Sequence, residues 1–135
     1  MSVRIVRLGT PRHAGEGTRI GTVRRPPRGV PKGEFASGDW YDVWFPNLSP
    51  SPELVKRALA SQADLSAAGE KEWTAFTRGF RAEMARPDNA HAITLLAALS
   101  QQSNFSVGCY CENEARCHRS VLRVLLRAAG ARVED

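Results

Sequence analysis

The segment Cys109-Tyr110-Cys111-Glu112-Asn113-Glu114-Ala115-Arg116-Cys117-His118-Arg119 gathers three thiols, an imidazole, carboxylates and guanidiniums in eleven residues. It ends where an apolar helical pattern begins, and the first N–H groups of a helix have no intrahelical partners, so an anion can be held there. If Cys117 is the N-cap, the positive end of the helix and the guanidinium of Arg119 favour its thiolate, the nucleophilic form. On this reading Cys117, His118 and Arg119 form an anion-binding or catalytic site, with Glu112 as general base or ligand anchor. A second reading assigns Cys109, Cys111, Cys117 and His118 to zinc, since the donors suit that ion, although C-x-C on a strand is not the usual C-x2-C spacing. A third takes the cysteines as small apolar fillers, and it is strongest for Cys109, which lies inside the strand.

A second constellation follows an early strand. The stretch Arg24-Arg25-Pro26-Pro27-Arg28-Gly29-Val30-Pro31-Lys32-Gly33 carries three prolines and two glycines, so it reads as a loop. Its guanidiniums suit forked recognition of phosphate or carboxylate. A loop at the carboxyl end of a strand is a natural site position in an α/β protein. If this strand and the one ending Cys-Tyr-Cys are parallel neighbours, the arginine loop and the Cys-His-Arg helix start converge on one cavity.

The positioning elements are legible as periodicity. Arg4 to Leu8 alternates basic and apolar residues, and Thr18 to Val23 does so more loosely, which predicts two short strands. Trp40 to Phe45 reads as a short strand or an aromatic plug over the core. Ser51-Pro52-Glu53 has the order of a helix start, and that helix runs to about residue 60. Around Gly69 a second helix begins, whose Trp73, Phe76, Phe80 and Met84 form one buried stripe. Pro87 ends it, and Asp88 or Asn89 caps a third helix through Leu99, apolar on nearly every side and therefore expected deep in the core. Asn104 to Cys111 is a strand candidate. The last helix, from Cys117, carries Val121, Leu122, Val124, Leu125, Leu126, Ala128 and Ala129 over roughly 200° of its circumference and is expected to pack broadly, showing water a stripe of Arg119, Arg123 and Arg127; Gly130 terminates it. The order implies a single α/β domain over residues 1–135: a short, mostly parallel sheet flanked by about four helices in a three-layer-like arrangement.

Composition narrows the function classes. The chain has 135 residues, 42% hydrophobic and 24% charged, which is ordinary globular usage and sets aside disordered and coiled-coil classes. The apolar run Ala92–Leu99 is far too short to span a bilayer, and the N-terminus lacks a signal-peptide pattern, so a cytoplasmic protein without a membrane partner is expected. Three cysteines clustered within nine residues argue for reduced thiols with chemistry, metal binding or redox activity. The net charge of +5 is uneven: residues 1–32 hold eight basic side chains against one acidic. Such a field concentrates phosphate-bearing partners, a small molecule or a nucleic acid. Neither the P-loop nor the dinucleotide-binding fingerprint occurs, and no cofactor is expected beyond the zinc alternative. His13 and His91 are isolated and read as surface or filler.

The residues Cys111 to Gly130 (CENEARCHRSVLRVLLRAAG), together with Val23 to Lys32 and the segments Trp40 to Leu54 and Glu72 to Met84, resemble the bacterial family known as domain of unknown function 488. The resemblance implies a small single-domain α/β protein of unassigned activity. It places the site at Arg24 and Arg28 on the loop and at Glu112, Cys117, His118 and Arg119. Thr22 stands where many relatives place an aspartate, and Cys109 is an addition; the missing carboxylate favours anion binding over acid–base catalysis. The expectation is a phosphate-binding enzyme acting on a nucleotide or nucleic acid. Its alternatives are a non-catalytic nucleic-acid- or partner-binding module and a zinc or thiol redox site.

Overall fold

A computed structural model describes the whole chain, Met1–Asp135. Five strands, β1 (Val3–Arg7), β2 (Thr18–Gly21), β3 (Val43–Trp44), β4 (Phe105–Cys109) and β5 (Val133–Glu134), form one sheet in the order β3-β2-β4-β1-β5. Every pairing is parallel. β4 is the hub: Phe105 aligns with Val3 of β1 on one side and with Thr18 of β2 on the other. Its five residues are all buried, as expected of a parallel strand covered on both faces.

Four helices, α1 (Pro52–Ala63), α2 (Ala67–Met84), α3 (Pro87–Leu99) and α4 (His118–Ala128), complete the domain. All four join one apolar core with Val3, Ile20, Phe105 and Val107, residues that share a sheet face by the two-residue period of a strand. The opposite face is covered by loops rather than by helices. There Arg19 is wholly buried, its guanidinium paired with Glu16 at 2.8 Å and hydrogen-bonded to the carbonyls of Thr10 and Asp39. Ser106 of β4 donates to the same Glu16 carboxylate at 2.6 Å. The third layer is therefore a set of loops locked by one buried ion pair.

Backbone glycines admit this cover. Gly9 has φ +86°, and a Cβ there would lie 2.8 Å from Cζ3 of Trp40. A Cβ on Gly21 would meet the Tyr41 ring at 2.4 Å. Both aromatic rings thus lie directly on the backbone, and Trp40 and Tyr41 act as the plug while the strand itself is confined to Val43–Trp44.

Three expectations need correction. α3 is not deep: Leu95 is 69% exposed and Leu99 40%, and only Ile93, Leu96 and Ala97 are buried. An apolar sequence removes the polar face that would reveal orientation, and α3 packs at the flank against α4 and α2. Its N-cap is Arg86, with Pro87 at the first helical position, rather than Asp88 or Asn89. The basic stripe of α4 also fails to face water as a unit. Arg119 is buried, Arg123 pairs with Glu114, and Arg127 pairs with Asp135. β5, which adds Val133 and Glu134 beside β1, has no sequence signal because two residues carry no periodicity. No helix is long and apolar enough to cross a membrane.

Candidate functional site

The parallel β2–β4 pairing, with Gly21 opposite Gly108, delivers the arginine loop and the Tyr110–Cys117 segment to the same edge of the sheet. Arg24 and Arg25 share a cavity of about 380 Å³ with Cys109, Cys111, Cys117 and His118. The rest of its wall is mostly apolar, with Val55, Ala58 and Phe76 among the contributors. This space is the thiol chamber. A second cavity, of about 580 Å³, lies next to it and shares Arg25 and Tyr110. Its arginines are Arg7, Arg25 and Arg28, beside Thr10, Trp40 and Tyr110. These residues follow or end β1, β2 and β4, so the cavity lies at the carboxyl ends of three adjacent strands, where open α/β sheets bind ligands.

The chamber is built from hydrogen bonds. Nε2 of His118 lies 2.7 Å from the carbonyl oxygen of Thr22. A carbonyl only accepts, so Nε2 carries the proton and Nδ1 keeps its lone pair. That lone pair faces Sγ of Cys117 at 3.7 Å. Burial holds the imidazole neutral, with its pKa pushed down to about 4. Thr22 Oγ1 in turn donates to the Gly108 carbonyl at 3.0 Å, which ties the end of β2 to β4. Thr22 thus orients the histidine through its backbone carbonyl.

The thiols divide unequally. Sγ of Cys109 and Sγ of Cys117 are 2.6 Å apart, and both residues are buried. Hydrogen bonding to Cys111 and Cys117, reinforced by burial, holds Cys109 as a thiol. Hydrogen bonds from Cys109 and Cys117 hold Cys111 well below the usual thiol range, so the thiolate character expected at Cys117 falls on half-buried Cys111. At Cys117, donation from Cys109 favours the thiolate but is outweighed by its bond to Cys111 and by burial, which raise it to about 11. The helix N-terminus is present, since Cys117 is the N-cap of α4, but it does not overcome these effects.

Arg119 lies behind this cluster and on neither cavity wall. It is 3% exposed, donates to the Cys111 carbonyl at 2.5 Å, and leaves its buried Nε without a partner. Arg24 is partly engaged by the carbonyls of Pro50 and Ser49, at 3.1 and 3.4 Å. Glu112 is exposed and lines neither cavity. Lys32 opens a short 3-10 turn and also lies off both walls, while His13 and His91 are on the surface. Sequence reasoning missed Arg7, Thr10, Trp40 and Tyr110. The basic alternation of β1 pointed at Arg7 as a strand residue only, and nothing local marks Trp40 as adjacent to Tyr110, with ring centroids 6.0 Å apart.

The family model described as "DUF488-N3a: Active DUF488-N3 subclade" matches residues 3–130. No curated protein and no solved structure matches the chain. With nearly the whole sheet, every helix and both cavities inside the matched span, this protein belongs to the domain of unknown function 488 family.

Proposed function

We propose that the protein is an enzyme acting on a phosphate-bearing substrate, a nucleotide or nucleic acid, with the phosphate in the arginine cavity and the reacting group presented to the thiol chamber. The observation that carries this reading is the meeting of Arg7, Arg25 and Arg28 in one cavity with Trp40 and Tyr110. The ion pairs of the molecule engage Arg12, Arg19, Arg57, Arg116, Arg123 and Arg127, so none of the three cavity arginines has a carboxylate partner, and Arg7 commits only its Nε, to the Tyr110 carbonyl at 3.3 Å. Charge-assisted, forked bonds to phosphate are the strong use of such groups. The indole and phenol rings offer an edge or face to a base, and the cavity volume falls in the range of small-molecule sites.

Within this reading Arg25 borders both phosphate and chamber and Arg24 the chamber alone, and the chamber supplies the reactive groups, Cys117 and His118 among them. Arg119 acts as a positioning residue that holds the Cys111 carbonyl. Glu112 has no contact that assigns it a task.

Titration with a nucleoside triphosphate, inorganic pyrophosphate and a short single-stranded oligonucleotide tests the proposal. Arg25→Ala and Arg28→Ala should each weaken binding about tenfold or more, as expected when a charged hydrogen bond of about 1.5–3 kcal/mol is lost. Arg78→Ala, a remote exposed arginine of α2, should leave binding unchanged. Equal affinities across all four proteins would overturn the reading.

A further inference from the structure

The thiol chamber holds more donor chemistry than phosphate binding requires. Sγ of Cys109, Sγ of Cys117 and a ring nitrogen of His118 all lie within 4.8 Å of one another, and all three residues are buried. Cys111 lines the same cavity from the outer side. We propose that the chamber is a zinc site, with Cys109, Cys117 and Nδ1 of His118 as inner ligands and Cys111 as the fourth. This inference stands on the chamber alone and does not rest on the phosphate reading.

The first support is the histidine tautomer. Nε2 is committed as donor to the Thr22 carbonyl, which leaves Nδ1 as the free donor atom toward the sulfurs. A ligand imidazole whose other N–H is fixed by a backbone carbonyl is the usual outer-shell arrangement of protein zinc. Bonds of about 2.3 Å to sulfur and about 2.0 Å to nitrogen place those two atoms about 3.6 Å apart in a tetrahedron. The observed separation of Nδ1 and Cys117 Sγ is 3.7 Å. The two inner sulfurs, now 2.6 Å apart, would open to the tetrahedral edge of about 3.8 Å that zinc–sulfur bonds of about 2.3 Å define.

The second support is independent and electrostatic. Arg119 is a buried guanidinium with one carbonyl partner, an unpartnered Nε and no carboxylate. A buried charge without a counter-charge is costly, and Cys109 and Cys117, the two buried thiols beside it, supply none while protonated. Zinc bound to three thiolates and one neutral imidazole leaves one negative charge in excess, directly beside that guanidinium. In the binding step zinc(II) enters as the aqua ion and sheds its waters, Cys109 and Cys117 release their thiol protons to solvent, Cys111 binds as thiolate, and Nδ1 contributes its lone pair with no proton change. The ion would then clamp the end of β4 to the start of α4 across the loop between them.

The test uses the full chain purified with zinc in the medium and without chelator. Elemental analysis should find about one zinc per chain, and cobalt(II) in its place should give intense visible ligand-field bands and near-ultraviolet sulfur-to-cobalt charge transfer, the signature of a tetrahedral thiolate site. Cys111→Ser should weaken zinc binding by tenfold or more, and His118→Asn should change the cobalt spectrum. If these variants do not fold, the cobalt spectrum of the unaltered protein still decides the question. Arg28→Ala should retain full zinc content, so failure of the phosphate reading and failure of this one are told apart. Folded, metal-free protein with three titratable thiols would overturn the proposal, as would a Cys109–Cys117 disulfide found by mass or octahedral cobalt without charge transfer.

Discussion

Glu16 and Arg19 are the two most consequential side chains outside the cavities. Burial pushes the Glu16 carboxyl up, but bonds from Arg19, Ser106 and the His13 backbone outweigh it and bring its pKa down to about 2. The folded value thus lies below the unfolded one, so this carboxylate stabilises the fold fully above about pH 4.5, and the contribution is lost as pH falls from there toward 2. Its size is about 3 kcal/mol on the usual 1.36 kcal/mol per unit. Glu16→Gln should cost about 3–5 kcal/mol, because Arg19 is left buried with only carbonyl partners. Denaturant unfolding at neutral pH measures the loss. The same variant followed at falling pH should show a flatter acid limb than the parent, and an unchanged limb would remove Glu16 from the acid response. Neither residue had a sequence signal, since i,i+3 spacing across a loop into a strand is not a helical pair.

Among the elements, α3 shows how little an apolar pattern says about orientation. Leu95 and Leu96 are sequence neighbours of the same type, yet one is 69% exposed and the other 7%. Leu96→Ala should cost about 2–5 kcal/mol through lost contacts and a residual cavity. Leu95→Lys should stay within about 0.5 kcal/mol, as surface substitutions do. Thermal unfolding of the two variants checks the pair, and comparable losses would mean that α3 is covered on its outer side. α2 behaves as its periodicity predicts. Phe76, Phe80 and Met84 are buried, and Trp73 stacks on Phe76 with ring centroids 5.0 Å apart. Its regular three- and four-residue spacing leaves one orientation, whereas α3 offers several.

At the scale of the whole molecule, the excess of positive charge is less general than the composition suggests. Arg12 is held by Asp39 and Asp42, and Arg19 by Glu16, while Arg7, Arg25 and Arg28 converge on one cavity. An oligonucleotide that binds there should therefore show a modest salt dependence. Affinity plotted against salt on logarithmic axes should have a slope no steeper than about −2, from three phosphate contacts at about −0.7 each for a single strand. Pyrophosphate should be retained at salt concentrations that displace the oligonucleotide. A much steeper slope would point to a broad electrostatic surface and to the binding-module alternative.

Local chemistry carried much of this protein in its sequence. The parallel α/β class, the strands flanking the site, the Phe76–Phe80 stripe, the arginine-proline loop and the Cys-His-Arg helix start all follow from periodicity, turn residues and caps, which depend on neighbours in the chain. Tertiary structure decided what depends on distant pairings. β2 beside β4 brings the arginine loop to the thiols, the Thr22 carbonyl fixes which nitrogen of His118 is free, and Trp40 meets Tyr110 across the strand ends. Burial separated Arg119 from Arg28, two arginines identical in the sequence: one stands behind the thiols without a counter-charge, the other opens onto a cavity. The physical reason is that a side chain's task here is set by which groups surround it, and those groups come from segments some ninety residues apart.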